Sequence, residues 1–237
     1  MMLENNAKSP LTMSKLVYSS LVVSGVAYLN NGYLPRSLMT GGDITHAIGR
    51  AAIWAYTIEA LLTFLATTLV VLAYAHFRLL FTLRSKTKPL WATIGIGFIM
   101  GLVGSYFAGL AHNSDAFQQG VVLSKALVFN DGPALGIVAL FVIAVALPIV
   151  GELFYRAIVF RTLTEYASLP AAVLGSSILF SFCFLPLYNP LTRVIFGVLA
   201  AGIFYWTGTI IAPMVASISF SCSLFISVLI RALISKG

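Results

Sequence analysis

Long apolar runs separated by short polar clusters divide the chain into seven segments. The runs are about 17–25 residues long and do not alternate with a period of two, so they predict membrane-crossing helices and not barrel strands. Segment one, 16–29, is short and weakly apolar and stops at Asn30-Asn31-Gly32. Segment two, 47–74, carries Glu59 in an otherwise apolar stretch. Segment three, 90–111, contains Gly97-x-x-x-Gly101 and Ser105-x-x-x-Gly109, small residues one turn apart that let a neighbouring helix approach closely. A polar stretch, 112–133, includes 121–129, which suits the membrane interface. Segment four, 134–166, is too long for one simple crossing and is expected to project into the cytosol. Segments five, six and seven follow at 171–187, 191–207 and 210–230.

Composition supports this reading. Hydrophobic residues make up 59% of the chain and charged residues 9%, with a mean hydropathy of +0.98, whereas a soluble domain is about a quarter charged. The expected fold is therefore an all-α, polytopic transmembrane bundle of about six to eight helices. The net charge of +7 points to cytoplasmic loops and anionic lipid headgroups. No basic stripe with interleaved aromatics marks a nucleic-acid partner. The loop bearing Arg78, Arg84, Lys86 and Lys88 should be cytoplasmic, which puts the N-terminus, with Lys8 and Lys15, inside a bacterial-type inner membrane. Seven crossings would then carry Arg231 and Lys236 outside, against the charge rule, and a re-entrant or further segment would restore it.

Residues 1–15 are polar and lack the pattern of a cleaved signal peptide. Cys183 and Cys222 lie in apolar runs and read as small hydrophobes, not as a disulfide or metal pair. The organisation expected is a tail at 1–15, N-terminal helices at 16–133, a core at 134–230 and a tail at 231–237.

The densest chemistry is Pro148-Ile149-Val150-Gly151-Glu152-Leu153-Phe154-Tyr155-Arg156. Glu152 and Arg156 are four apart and share a helix face. Each costs about 2.5–3.5 kcal/mol to insert into lipid, so a structural or chemical reason must keep them there. Glu152 lies about 27 Å along its segment from Ala134, near the cytoplasmic leaflet. One reading is an interfacial salt bridge whose arginine snorkels to the headgroups; the other is a remnant of a catalytic helix.

The C-terminal half of the chain strengthens the second reading. Gly151-Glu152-Leu153-Phe154-Tyr155-Arg156, the helix start Gly175-Ser176-Ser177-Ile178-Leu179-Phe180-Ser181-Phe182-Cys183-Phe184, and the run from Gly202 and Tyr205 through Thr207-Gly208-Thr209-Ile210 and Ala212-Pro213-Met214 succeed one another in that order. Together they resemble the CPBP (CAAX-prenyl endopeptidase and bacteriocin-processing, or Abi) family of intramembrane glutamic proteases, over about 134–224. The resemblance implies a family signature of Glu-Glu-x-x-x-Arg, Phe-x-x-x-His and a final His-x-x-x-Asn. Against it, Gly151 replaces the first Glu, Phe184 and Ser217 stand at the two His positions, and Ser221 stands at the Asn position. Of the six chemistry-bearing positions of that signature, Glu152 and Arg156 are kept and four are lost. A carboxylate base and imidazoles to position water are what such hydrolysis requires, with something to stabilise the oxyanion. The expectation is a degenerate member, a pseudoenzyme serving as an accessory or scaffolding subunit of a membrane complex. Its partners would be other integral membrane proteins and membrane lipids.

Two alternatives stay open: an enzyme acting on lipidated or membrane-bound peptides through Glu152, and a transporter or small-molecule site using Glu59. Glu59 also fits a hydrogen bond to a neighbouring helix, or a contact with a partner subunit or ion. Ser217 and Ser221, one turn apart, could act as nucleophiles, but the sequence shows no base beside them, and interhelical hydrogen bonding is the plainer role. Of the three histidines, His46 and His112 flank the outer side and His76 the inner side, where it reads as an interfacial residue beside Arg78. None has a partner at metal-ligand spacing, so no metal or cofactor is expected.

Overall fold

The computed structural model describes residue 12 and residues 14–23, 47–74, 88–110, 141–181 and 190–234. Seven helices run through them, and the molecule is an all-α helical membrane bundle. They are α1 (Ser14–Val23), α2 (Ala47–Tyr74), α3 (Leu90–Leu110), α4 (Val142–Tyr166), α5 (Leu169–Ser181), α6 (Pro190–Thr207) and α7 (Ile211–Ile234). Two apolar stretches, Leu90–Phe107 and Val142–Tyr166, are long enough to cross a bilayer. Leucines, isoleucines and aromatics lie exposed on the outer faces of α2, α3, α5 and α6, as expected of helices whose solvent is lipid.

Prolines set the helix starts. Pro89 precedes α3, while Pro170, Pro190 and Pro213 sit in the first turns of α5, α6 and α7. There the backbone N–H that proline lacks would have no intrahelical partner. Pro148 is the exception, lying inside α4. Its ring would press on the carbonyl four residues earlier, at Ala144, and Ala144 lies in a widened π-helical stretch, Val142–Ala146, that gives the ring room. A second π-helical stretch, Leu153–Phe160, follows the α-helical turn Leu147–Glu152.

Helix α4 is the axle of the bundle. α2, α5 and α7 pack around it, and every residue from Phe154 to Phe160 is buried. α4 and α5 form an antiparallel pair joined at Ala167 and Ser168, with Ala167 extended and the Ser168 carbonyl accepting from Ala172 N–H at 2.9 Å. α5 and α6 are also antiparallel. Gly197 lies against Ser177, and Arg193 Nη1 donates to the Ser181 carbonyl at 2.7 Å, closing the C-terminal end of α5. The α6–α7 turn needs Gly208, whose φ of 74° lies in the left-handed region.

α3 packs against α7 through glycine. A Cβ on Gly101 would stand 2.5 Å from the Ala216 carbonyl oxygen and 2.6 Å from Ser219 Cβ, and one on Gly97 would collide with Ala212. Gly104 faces the rings of Phe196 and Phe220, themselves 4.4 Å apart. The pairing 97 with 212, 101 with 216 and 104 with 220 makes α3 and α7 parallel. The Gly97-x-x-x-Gly101 reading is thereby given its partner; Gly109 lies outside the residues whose side chains are described.

Candidate functional site

Glu152 ends the α-helical turn Leu147–Glu152 and Arg156 sits four residues on in the π-helical stretch. Both side chains are 0% exposed, with Arg156 Nε 3.1 Å from Glu152 Oε2. The Nε–H does not point along that line, so the contact is ionic and not a linear hydrogen bond. The other carboxylate oxygen is better served. Ser217 on α7, itself buried, donates its hydroxyl to Glu152 Oε1 at 2.5 Å. A hydrogen bond to a buried charge contributes about 1.5–3 kcal/mol, and here it ties α7 to α4.

Helix α5 holds the guanidinium. Arg156 Nη1 lies 3.5 Å from Ser176 Oγ, and the Arg156 Cζ stands 4.8 Å from the centre of the Phe180 ring. Ser176 and Ser177 both turn their own hydroxyl protons to the Val173 carbonyl, at 3.1 and 2.6 Å. That leaves the Ser176 oxygen available as an acceptor. Arg156 Nη2 has no hydrogen-bond partner among the described residues. Around the pair, Tyr155 meets Phe154 and Phe180 edge-on, at 4.9 and 5.5 Å between centroids. This apolar wall keeps the charges out of lipid and strengthens their attraction.

The snorkelling reading is corrected by this geometry. Distance along the segment suggested an interfacial ion pair, but α2, α5 and α7 enclose that part of α4, and neither charge reaches the surface. The reading that Ser217 has no base nearby is corrected as well: a carboxylate touches it. Its interhelical hydrogen bond is as expected. Ser221 is one turn further along α7 and buried. Gly151 is also buried, yet a Cβ built on it would meet no heavy atom within 4 Å. The backbone therefore leaves room where the resemblance places a second carboxylate. Phe184, Cys183, His46, His76 and His112 lie outside the described residues. Glu59 is on α2, one turn before the buried Thr63, but its side chain is not described.

Ser176 and Phe180 lie in the second family-like motif, but the sequence alone did not assign them to the ion pair; their spacing of four sets a hydroxyl and a ring on one helix face.

Residues 133–223 match the family described as Rce1-like, type II CAAX prenyl endopeptidase. That match, which spans less than half of the chain, supports the likeness of this core to the CPBP family. No curated protein and no solved structure is significantly similar to the chain. Within this CPBP-like core, α4 supplies Glu152 and Arg156, α5 supplies Ser176 and Phe180, and α7 supplies Ser217. The CPBP match begins after α3, so the glycine seam joins a helix outside the matched region to α7 within it.

The resulting chemistry is narrow. One carboxylate is shared between a guanidinium and a hydroxyl, in an enclosed, low-dielectric setting. Such an arrangement can hold helices in register and offer a polar contact inside the bilayer. Gly151 stands where the family signature has its first carboxylate.

Proposed function

We propose that this chain is a degenerate CPBP-like membrane protein that binds a membrane-embedded segment of another protein without cleaving it, as an accessory or scaffolding subunit of a membrane complex. The observation that carries this reading is the bond from Ser217 to Glu152. At a position where the family resemblance calls for an imidazole, a hydroxyl engages the remaining carboxylate, and Arg156 engages its other oxygen. A carboxylate occupied in this way is a poor base for water. Gly151 leaves room for a side chain beside Glu152, and Ser221, one turn along α7 from Ser217, is also buried. We place the chain in a bacterial-type inner membrane with the basic loop before α3, and the N-terminus, on the cytoplasmic side.

Extraction in mild detergent, followed by sizing and mass spectrometry, tests the subunit role, and a stoichiometric integral-membrane partner is expected. A second assay presents the purified protein with a prenylated C-terminal peptide, the substrate class named by the family. No Glu152-dependent cleavage is expected. Cleavage abolished in Glu152→Gln, with the fold intact, would overturn the proposal.

One observation favours a second reading. A serine hydroxyl 2.5 Å from a carboxylate is within general-base reach, so an enzyme acting on lipidated or membrane-bound peptides through Glu152 and Ser217 is the alternative. Equal loss of turnover in Ser217→Ala and Glu152→Gln would establish it. A transporter using Glu59 is the third reading. Unchanged uptake in Glu59→Gln at equal expression would sink it.

A further inference from the structure

At the opposite end of α7 from its C-terminus, three elements meet. The backbone N–H of Lys88, just before α3, donates to the Thr207 carbonyl at the end of α6, at 3.3 Å. The start of α3 and the α6–α7 turn therefore share one end of the bundle. Lys88 is exposed, and its Nζ lies 5.4 Å from the centre of the Trp206 ring. Trp206 is 56% exposed and Trp91, in the first turn of α3, is 78% exposed. Two of the chain's three tryptophans thus share this end of the bundle with one lysine.

We propose that this corner docks the headgroup of an acidic phospholipid. Tryptophan settles at headgroup depth because its ring is apolar and its N–H is polar. A lysine stem lies along apolar surface while its ammonium reaches water. The Trp206 face fixes the ammonium at the depth of the rings. Beside it, Leu90 and Ile94 on α3 and Leu199 on α6 are exposed and offer an apolar wall to acyl chains. A cation among interfacial rings, next to an apolar wall, complements an anionic headgroup carrying acyl chains. It does not complement a zwitterion to the same degree, because the choline charge opposes the lysine. This inference is independent of the proposed subunit role.

Native mass spectrometry of the full chain, titrated with phosphatidylglycerol or phosphatidylcholine of matched acyl chains, tests it. Phosphatidylglycerol is expected to be retained preferentially, and Lys88→Gln should weaken that retention about fivefold, the equivalent of about 1 kcal/mol per basic residue at an anionic surface. Lys88→Arg should keep it, and Trp206→Leu should reduce it. The glutamine keeps the backbone N–H that bonds Thr207, so the fold is spared. Equal retention of the two lipids, or phosphatidylglycerol retention unchanged in Lys88→Gln, would overturn the proposal.

Discussion

On the side of α7 that faces α3, Ala212, Val215, Ala216 and Ser219 receive Gly97 and Gly101, and the helices approach so closely there that a Cβ on either glycine would run into α7 backbone. On the side that faces α4, Ser217 reaches across to a buried carboxylate. The seam holds by close van der Waals approach, since lipid supplies no hydrophobic drive between helices. The polar contact holds by electrostatics in a dry interior, where each charge depends on its partners. The seam should therefore respond to added volume and be indifferent to charge. The polar contact should respond to lost partners and tolerate volume where Gly151 leaves room.

The largest effect should come from breaking the ion pair on one side only. Arg156→Leu leaves Glu152 buried and uncompensated, at a cost of about 3–5 kcal/mol. Unfolding by SDS titration in mixed micelles would measure it, and Glu152→Leu with Arg156→Leu should recover most of the loss. A double variant no better than the single one would show that the pair does more than neutralise itself. Next, Gly101→Leu should cost about 3 kcal/mol in the same titration, because the atoms in its way include backbone that cannot step aside. If it cost nothing, α3 and α7 could not be packed through Gly101. Smaller again, Ser217→Ala removes the donor to Glu152 Oε1 and should cost about 2 kcal/mol. Last, Gly151→Ala should raise stability by about 0.5–1 kcal/mol, since a helical glycine gains a methyl that meets nothing. Destabilisation by that methyl would reveal a contact in the space beside Gly151.

Much of this contrast was legible along the chain, but unevenly. Segment two, read as 47–74, coincides with Ala47–Tyr74, because a long run of apolar residues between polar clusters leaves little freedom in where a helix ends. The glycine seam and the Glu152–Arg156 pairing are also local patterns, spaced at one turn, and helical geometry alone makes them visible. The bond between Ser217 and Glu152 joins residues 65 apart and depends on which face α7 turns to α4. No spacing within either helix encodes that. The enclosure of Arg156 escapes the sequence for a related reason: position along a helix gives a height, whereas burial depends on neighbours contributed by α2, α5 and α7. The family motifs pointed to the right helices and left the substituted positions to be read from chemistry.

The parallel pairing of α3 with α7 also sets an order of events during synthesis. Roughly a hundred residues separate Gly104 from Ile211, and a ribosome adding about 5–20 residues per second takes some 5–20 s to make them. For that interval α3 stands in the bilayer with its glycine face turned to lipid or to an insertion factor. The seam cannot close until α7 emerges, so a chain cut short before α7 would leave that face open to quality-control proteases.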